Sequence, residues 1–550
     1  METKDSFLRA GLWVVLALAV LHLTTVGIRP LYDPDESRYG EIPREMLATG
    51  DWIVPHLNYV NYLEKPPLAY WITALGYKIF GVGEWPARLP NAAYYLATCV
   101  MIFWWGKFSF GRSAAFRASW MYATALLPLL LGRFLTLDFA LTFFLSAALF
   151  LIGRAETGRG GTKSILAGWL CAGLATLVKG PVAVVFCVAA VLAYRASNRI
   201  WPIRAESRVA GPPMKWHTAG LILAAAVCLP WFYAMSRRVP EFLRFFIIDQ
   251  HFRRFGGAEH AAPFWFYVPV LIVGFFPWTW SFLKTFIPSR FKISFNDPVL
   301  RWCWLWAGVV LALFTASGGK LVPYVLPLFA PMMLIMAAEL DEKIGRETVR
   351  AAAGVFILLA IVLAIVSVPP RYEEALDWGR APLSVLFAVG AAIALWLDRM
   401  DGKKAIYIPA IVLVLFALFL EIGGSDPDAH RTAYPFRRQL QAAQVPIISY
   451  GDYFQSLNFY SGRRVIVANN FGELAFGAKF PGTSSWFWTE AQVSDLIDSD
   501  SPALMLMKMD TFRRSFQSRP QIRLVDQAAS IVLASVNGAA HTSYGGEKIR

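Results

Sequence analysis

Leu135-Thr136-Leu137-Asp138-Phe139-Ala140-Leu141-Thr142-Phe143-Phe144-Leu145-Ser146-Ala147-Ala148-Leu149-Phe150-Leu151-Ile152-Gly153 is a run of apolar and small residues with a single charge near its start. At 1.5 Å rise per residue, about 20 such residues cross the hydrocarbon core of a bilayer. A carboxylate held at that depth is costly, so Asp138 must meet a cation or face a polar cavity. The plainest partner is Arg133, at the same end of the run.

Similar runs recur along the chain. Candidate spans are 8–28, 88–107, 114–131, 135–153, 164–178, 181–195, 217–235, 264–284, 299–316, 321–339, 350–368, 381–397 and 405–421, about thirteen crossings. The totals agree. Of 550 residues, 56% are hydrophobic, 15% aromatic and 16% charged, against about 25% charged in an ordinary soluble chain. A mean hydropathy of +0.46 spreads the apolar excess over the whole length. The chain is therefore a polytopic α-helical membrane protein. Its first run is too long for a removable signal peptide and lacks a small-residue cleavage site.

A formal net charge of +14 invites a nucleic-acid reading, but the basic residues lie scattered in short loops, and no nucleic-acid partner is expected. The five cysteines all fall inside apolar runs without CxxC spacing, which argues against a disulfide framework or a thiolate metal site. Counting alternate loops from the N-terminus, one side collects groups such as Arg195, Arg199, Arg204, Arg208 and Lys215, or Lys343, Arg346 and Arg350. The short loops opposite hold mainly Arg133, Lys179, Lys320, Arg371 and Arg380. The richer side is cytoplasmic. An odd number of crossings then places the C-terminal tail outside. From about Gly424 the runs 446–449, 464–467, 503–506, 522–525 and 531–533 alternate with polar stretches, as in a small soluble α/β domain.

Two long outer loops, about 29–87 and 236–263, break the charge rule. The first opens with Asp33-Pro34-Asp35-Glu36-Ser37-Arg38-Tyr39, runs through a helix-like stretch from Glu36 to Ala48, and reaches Tyr62-Leu63-Glu64-Lys65-Pro66-Pro67. Asp35 and Glu36 read either as helix caps or as carboxylates facing a polar cavity. The paired prolines hold Lys65 extended and set up the next helix. The Glu64-Lys65 pair is either an ordinary surface ion pair or a rigid mount for a lysine that binds a lipid phosphate. The second loop carries Arg237, Arg238, Arg244, His251, Arg253, Arg254 and His260. Lys179 and Lys320 sit in very short outer loops, where each either snorkels to the interface or contributes to a phosphate-binding rim.

The stretch Asp33 to Trp52 followed by Tyr62-Leu63-Glu64-Lys65-Pro66 resembles the first periplasmic loop of the lipid A aminoarabinose transferases, C-type glycosyltransferases related to the protein O-mannosyltransferases. The similarity continues through Thr176-Leu177-Val178-Lys179-Gly180, His251-Phe252-Arg253-Arg254-Phe255, Pro263 to Pro269 and Gly319-Lys320-Leu321-Val322-Pro323-Tyr324, and covers essentially the whole chain. It implies a C-type glycosyltransferase fold over 1–423, with a periplasmic α/β domain over 424–550.

It further implies Asp35 and Asp138 as carboxylates of the catalytic cavity, with Arg38, Tyr39, Tyr62 and Glu64 lining it. Lys65, Arg254 and Tyr324 become ligands of the lipid phosphate, with Lys179 or Lys320 supplying further charge. No cofactor is required by this set, although Glu64 with His251 would form a site for a divalent metal ion. The partners implied are an undecaprenyl-phosphate-linked sugar donor, a lipid A acceptor and the bilayer of the bacterial inner membrane, with the chain acting as a monomer. The implied activity moves 4-amino-4-deoxy-L-arabinose onto a lipid A phosphate, which lowers its negative charge and gives resistance to polymyxin. Two alternatives are another sugar or acceptor on the same fold, and a lipid-linked sugar flippase. The flippase is disfavoured because the polar residues gather on one face rather than at the bilayer midplane.

Overall fold

The computed structural model describes residues 18–202, 211–253, 256, 260–365, 373–423, 432–528 and 530–538. The chain divides into two compact units. One comprises Met1–Val26, Glu64–Ala69 and Arg88–Glu421; the other comprises Gly27–Leu63, Tyr70–Ala87 and Ile422–Arg550.

The first unit is helical. Among the described residues, seven helices are long and apolar enough to cross a membrane: Leu137–Glu156, Val182–Ile200, Met214–Arg238, Pro298–Ala316, Val322–Glu339, Glu342–Ile365 and Gly379–Met400. The other expected crossings are built less regularly. Those at 88–107 and 114–131 form one helical run, Glu84–Thr124, interrupted where Gly111 takes φ 83° and ψ 170°, followed by the short helix Leu126–Leu131. Only glycine adopts that backbone cheaply, so the run folds back at this point. The expected span 264–284 is also broken, into Tyr267–Gly274 and Thr279–Thr285, because Pro277 cannot donate the helical hydrogen bond.

Helix Thr162–Lys179 packs closely on Met214–Arg238 through small residues. A Cβ on Gly220 would lie 2.1 Å from Trp169 Cδ1, and one on Gly173 would lie 2.8 Å from the Ala224 carbonyl oxygen. Such small-residue contacts replace the hydrophobic effect as the packing force between helices in lipid.

The second unit joins the first outer loop to the C-terminal segment. Helix Asp35–Thr49 ends at Gly50 (φ 70°), whose N–H bonds the Met46 carbonyl. The hairpin β1 (His56–Leu57) and β2 (Val60–Asn61) turns at Asn58 and Tyr59, both at positive φ, as a two-residue hairpin requires. Helix Leu68–Phe80 starts directly after Pro66-Pro67, as expected.

The C-terminal sheet has β3 (Ile447–Tyr450), β4 (Ile466–Ala468), β5 (Phe487–Trp488), β6 (Ala503–Lys508), β7 (Ile522–Ala528) and β8 (Ile531–Val536) in the order β5-β4-β3-β6-β8-β7. The first four in that order are parallel and the last two antiparallel, so this is an α/β layer. Interior strands read as continuous apolar runs, whereas β7 at the edge carries Arg523, Asp526 and Gln527, which discourage further strand pairing.

Loop and sheet domain are bound by buried polar contacts. Asn58 Nδ2 donates to the Val465 carbonyl and Asn58 Oδ1 accepts from the Val465 N–H, each at 2.9 Å. The Leu31 N–H donates to Tyr460 Oη at 2.8 Å, and Thr432 Oγ1 donates to the Leu31 carbonyl at 2.9 Å.

Candidate active site

In the helical unit, Asn91 Nδ2 donates to the carbonyls of Phe134 and Thr136 at 2.6 and 2.8 Å, pinning the segment that leads into helix Leu137–Glu156. Asp138 lies in the first turn of that helix, and Lys179 is the last residue of Thr162–Lys179. A carboxylate at a helix N-terminus and an ammonium at a C-terminus each complement the local dipole. The two meet, with Lys179 Nζ 2.5 Å from Asp138 Oδ1, and both are largely buried. The same ammonium lies 4.5 Å from the centroid of the Tyr324 ring, which stacks on Phe314 at 5.0 Å. Three sequence-derived site residues therefore form one cluster.

The structural alternative for Asp138, a pair with Arg133, is not made. Arg133 instead bonds Glu421 Oε2 through Nε at 3.0 Å and Thr25 Oγ1 through a terminal nitrogen at 2.6 Å. Glu421 was legible: a lone carboxylate at the end of the last span falls under the reasoning applied to Asp138.

The remaining lysines differ. Lys65 Nζ is 3.2 Å from the Glu64 carbonyl and 3.6 Å from Glu64 Oε2, with both side chains mostly buried, so this is not a solvated surface pair. Lys320 is buried, and its ammonium donates to the carbonyls of Ala262 and Ser317 at 3.1 and 2.5 Å. That geometry ties a loop together before it offers charge to a ligand. Arg254 and the His251 side chain lie outside the described residues. Among the described residues no three His, Cys, Asp or Glu side chains gather as metal ligands, and the Glu64 carboxylate is engaged by Lys65. The expected Glu64–His251 metal site lies in part outside the described residues, and no chemical step is assigned to it.

The second unit holds the other cluster. The carboxylates at the start of helix Asp35–Thr49 do not cap it; the N-cap is Pro34 and receives no side-chain bond. Glu36 is buried against Arg29 and Asp35 pairs with Arg38. Arg38 also pairs with Glu473, whose other oxygen accepts from Gln455 Nε2 at 2.6 Å, and its guanidinium lies 4.9 Å from the centroid of the Tyr39 ring. Burial pulls the Arg38 pKa down, but Tyr62, Tyr39, Glu473 and Asp35 outweigh it and hold the residue charged. Asp33 accepts from the Ser456 N–H and hydroxyl at 2.7 and 2.6 Å. Asp35, more than half exposed, is left as the carboxylate of this cluster open to a ligand. Glu473, Gln455 and Ser456 went unnoticed in the sequence because nothing local ties them to residues more than 400 positions earlier.

Comparison with known proteins decides the family. Residues 64–233 match the dolichyl-phosphate-mannose-protein mannosyltransferase family and residues 435–535 match the aminoarabinose transferase C-terminal domain. The undecaprenyl phosphate-alpha-4-amino-4-deoxy-L-arabinose arabinosyl transferase 1 of Sodalis glossinidius is 30% identical over 86% of this chain and 87% of its own length. This chain belongs to the undecaprenyl phosphate-aminoarabinose arabinosyl transferase family. A member from Shewanella sediminis is 28% identical over 90% of this chain and 92% of its own, and one from Pectobacterium carotovorum is 34% identical over 75% of each. The crystal structure of ArnT from Cupriavidus metallidurans bound to undecaprenyl phosphate superposes with a TM-score of 0.82 at 25% identity, covering 97% of this chain and 99% of that one. Arabinosyl transferases of this family thus share both the helical unit and the C-terminal sheet with this chain.

Proposed function

We propose that this chain transfers 4-amino-4-deoxy-L-arabinose from undecaprenyl phosphate to a phosphate of lipid A. The reaction breaks the bond between the sugar C1 and the donor phosphate oxygen and forms one between C1 and an oxygen of the acceptor phosphate, releasing undecaprenyl phosphate. An anionic acceptor needs no proton removed, so the demand is for cations where charge develops on the leaving phosphate. The observation that carries this reading is Lys179 held between Asp138 and Tyr324, an ammonium fixed at a helix end.

Lys65 and Lys179 neutralise the leaving phosphate, joined by Arg254, whose guanidinium suits bidentate phosphate contact. Asp138 orients Lys179 and, with Asp35, binds and places the sugar. Arg38, Tyr39, Tyr62 and Glu64 line the sugar site. We further propose thirteen crossings of the inner membrane, with the N-terminus cytoplasmic and the sheet domain periplasmic. The transferred amine adds positive charge to lipid A, and so weakens the attraction of cationic peptides such as polymyxin.

Mass spectrometry of lipid A from a strain lacking this chain tests the reading. The expected result is loss of the aminopentose adduct, restored by the wild-type chain and not by a Lys65→Met variant. An adduct that persists in the deletion strain would overturn it.

A further inference from the structure

Helix Leu137–Glu156 carries Asp138 in its first turn and Arg154 in its last, about 24 Å apart at 1.5 Å rise per residue. Its far end therefore lies near the opposite face of the membrane. There it stops in a Schellman turn: the N–H of Gly158 (φ 74°) bonds the Ala155 carbonyl at 3.1 Å, and the Arg159 N–H bonds the Arg154 carbonyl at 2.7 Å. This sets two arginines side by side. With Trp105, Phe108 and Ser109 they line a cavity of about 390 Å³.

Lys107 adds a third positive charge. Its ammonium lies 5.2 Å from the Trp104 ring centroid and 5.7 Å from that of Phe108, and the Arg154 guanidinium lies 5.5 Å from the Phe108 centroid. Among the described residues the Arg154 side chain donates only to the Arg159 carbonyl, at 3.4 Å, and none of the three cations meets a carboxylate. The basic excess of a cytoplasmic face accounts for their presence but not for this. Arg195, Lys284, Arg290 and Arg350, from other loops of the same side, each pair with a carboxylate. Helix termini supply no compensation either. Two helices end and two begin at the breaks at Gly111 and 157–161, so their partial charges, about half a unit each, cancel.

The surroundings say what form the missing anion takes. Val100, Trp104 and Phe108 share one helix face at spacings of four residues, all more than half exposed, and Phe108 forms the cavity wall. An exposed apolar stripe along an expected crossing lies against acyl chains, so the cavity sits where a phospholipid headgroup meets its tails. Paired guanidiniums suit a phosphodiester, and basic pockets between spanning helices hold anionic headgroups in this way. Phosphatidylethanolamine would bring its own ammonium among three cations. Phosphatidylglycerol brings none.

We propose that this cavity binds the phosphodiester of an anionic phospholipid at the membrane face opposite Asp138, with an acyl chain along the Val100–Phe108 face. The site does not rest on the arabinosyl transfer reading. Native mass spectrometry of the full-length protein in detergent tests it with defined lipids. The first phosphatidylglycerol should bind more tightly than the first phosphatidylethanolamine. Arg159→Gln, a change at an exposed position, should weaken phosphatidylglycerol about fivefold, and Arg154→Gln with Arg159→Gln about 25-fold. Lys163→Gln removes a nearby exposed charge that does not line the cavity and should leave the affinity unchanged. Equal affinity for the two lipids, or undiminished phosphatidylglycerol binding by Arg159→Gln, would overturn the proposal. Displacement of the lipid by millimolar inorganic phosphate would also overturn it, by marking a site for a free anion. A photoactivatable phosphatidylglycerol separates this site from other bound lipid. It should label residues 104–109 in the wild type and much less in the double variant, and equal labelling of both would contradict the site.

Discussion

Lys179 Nζ stands 2.5 Å from Asp138 Oδ1 and 4.5 Å from the Tyr324 ring centroid, so one ammonium links the ends of two helices to a third segment. Buried ion pairs contribute little net stability, because desolvation offsets their attraction. A mostly buried pair at a helix end is better explained by what it does to a ligand's charge. On the proposed reading, a donor phosphate reaching this point competes with Asp138 for the lysine, and the strength of that competition sets how the leaving group is held.

Asp138→Asn keeps the shape and removes the charge that orients Lys179. It should lower kcat by about 100-fold, as removal of a preorganised charge typically does. Lys179→Met should lose a similar amount, and the double variant should be no worse than the poorer single, because residues that act as one unit are not additive. Steady-state kinetics of the three variants decide this; independent, additive losses would break the unit.

Lys65 and Lys320 should separate although both are outer-face lysines. Lys320→Met removes bonds to two backbone carbonyls, so it should lower the melting temperature by several degrees and change donor KM by less than about threefold. Lys65→Met should lose transfer by about 100-fold with normal melting. Donor titration beside thermal melts reads both, and the reverse pattern would exchange their roles.

Glu473→Gln weakens the hold on Arg38 without altering size. Transfer should fall about tenfold, and Glu473→Asp should recover part of it, as expected for loss of a partly buried charge-assisted bond. Activity assays on detergent-purified variants test this, and wild-type rates for Glu473→Gln would sever the sheet domain from the chemistry.

Glu45 is buried beside Glu41, and burial followed by the Glu41 charge pushes its pKa well above the ordinary carboxylate value. The folded state therefore favours protonated Glu45. Its stabilising effect is complete below the unfolded pKa and is lost as pH rises through the folded one. Glu45→Gln mimics the protonated form, so it should melt a few degrees above wild type at pH 8, with the gap closing towards pH 4. A variant less stable than wild type at pH 8 would contradict this sign.

Much of this architecture was legible in the sequence. The lone Asp138 in an apolar run, the Pro66-Pro67 start of helix Leu68–Phe80 and five of the six strands of the C-terminal sheet follow from hydropathy, backbone restriction and β-branched runs. Strand β5, only two residues long, carries no such signal. The break at Gly111 falls in the loop expected between 88–107 and 114–131, whereas the one at Pro277 was visible as a residue but not as an interruption, because averaging hydropathy over a span hides one residue's backbone. The pairings made by Arg133 and Arg38, as distinct from the residues themselves, were illegible for a different reason. Glu421 lies 288 positions from Arg133, and Glu473 lies 435 from Arg38. Pairing over such separations is fixed by topology, which local pattern does not encode.

Turnover by the purified chain of a synthetic undecaprenyl phosphate-aminoarabinose donor with lipid A, followed by mass spectrometry, tests the central claim most directly. The account predicts an aminopentose on a lipid A phosphate and stoichiometric release of undecaprenyl phosphate, both abolished by Lys65→Met. Donor consumption without sugar on lipid A, or undiminished transfer by that variant, would contradict it.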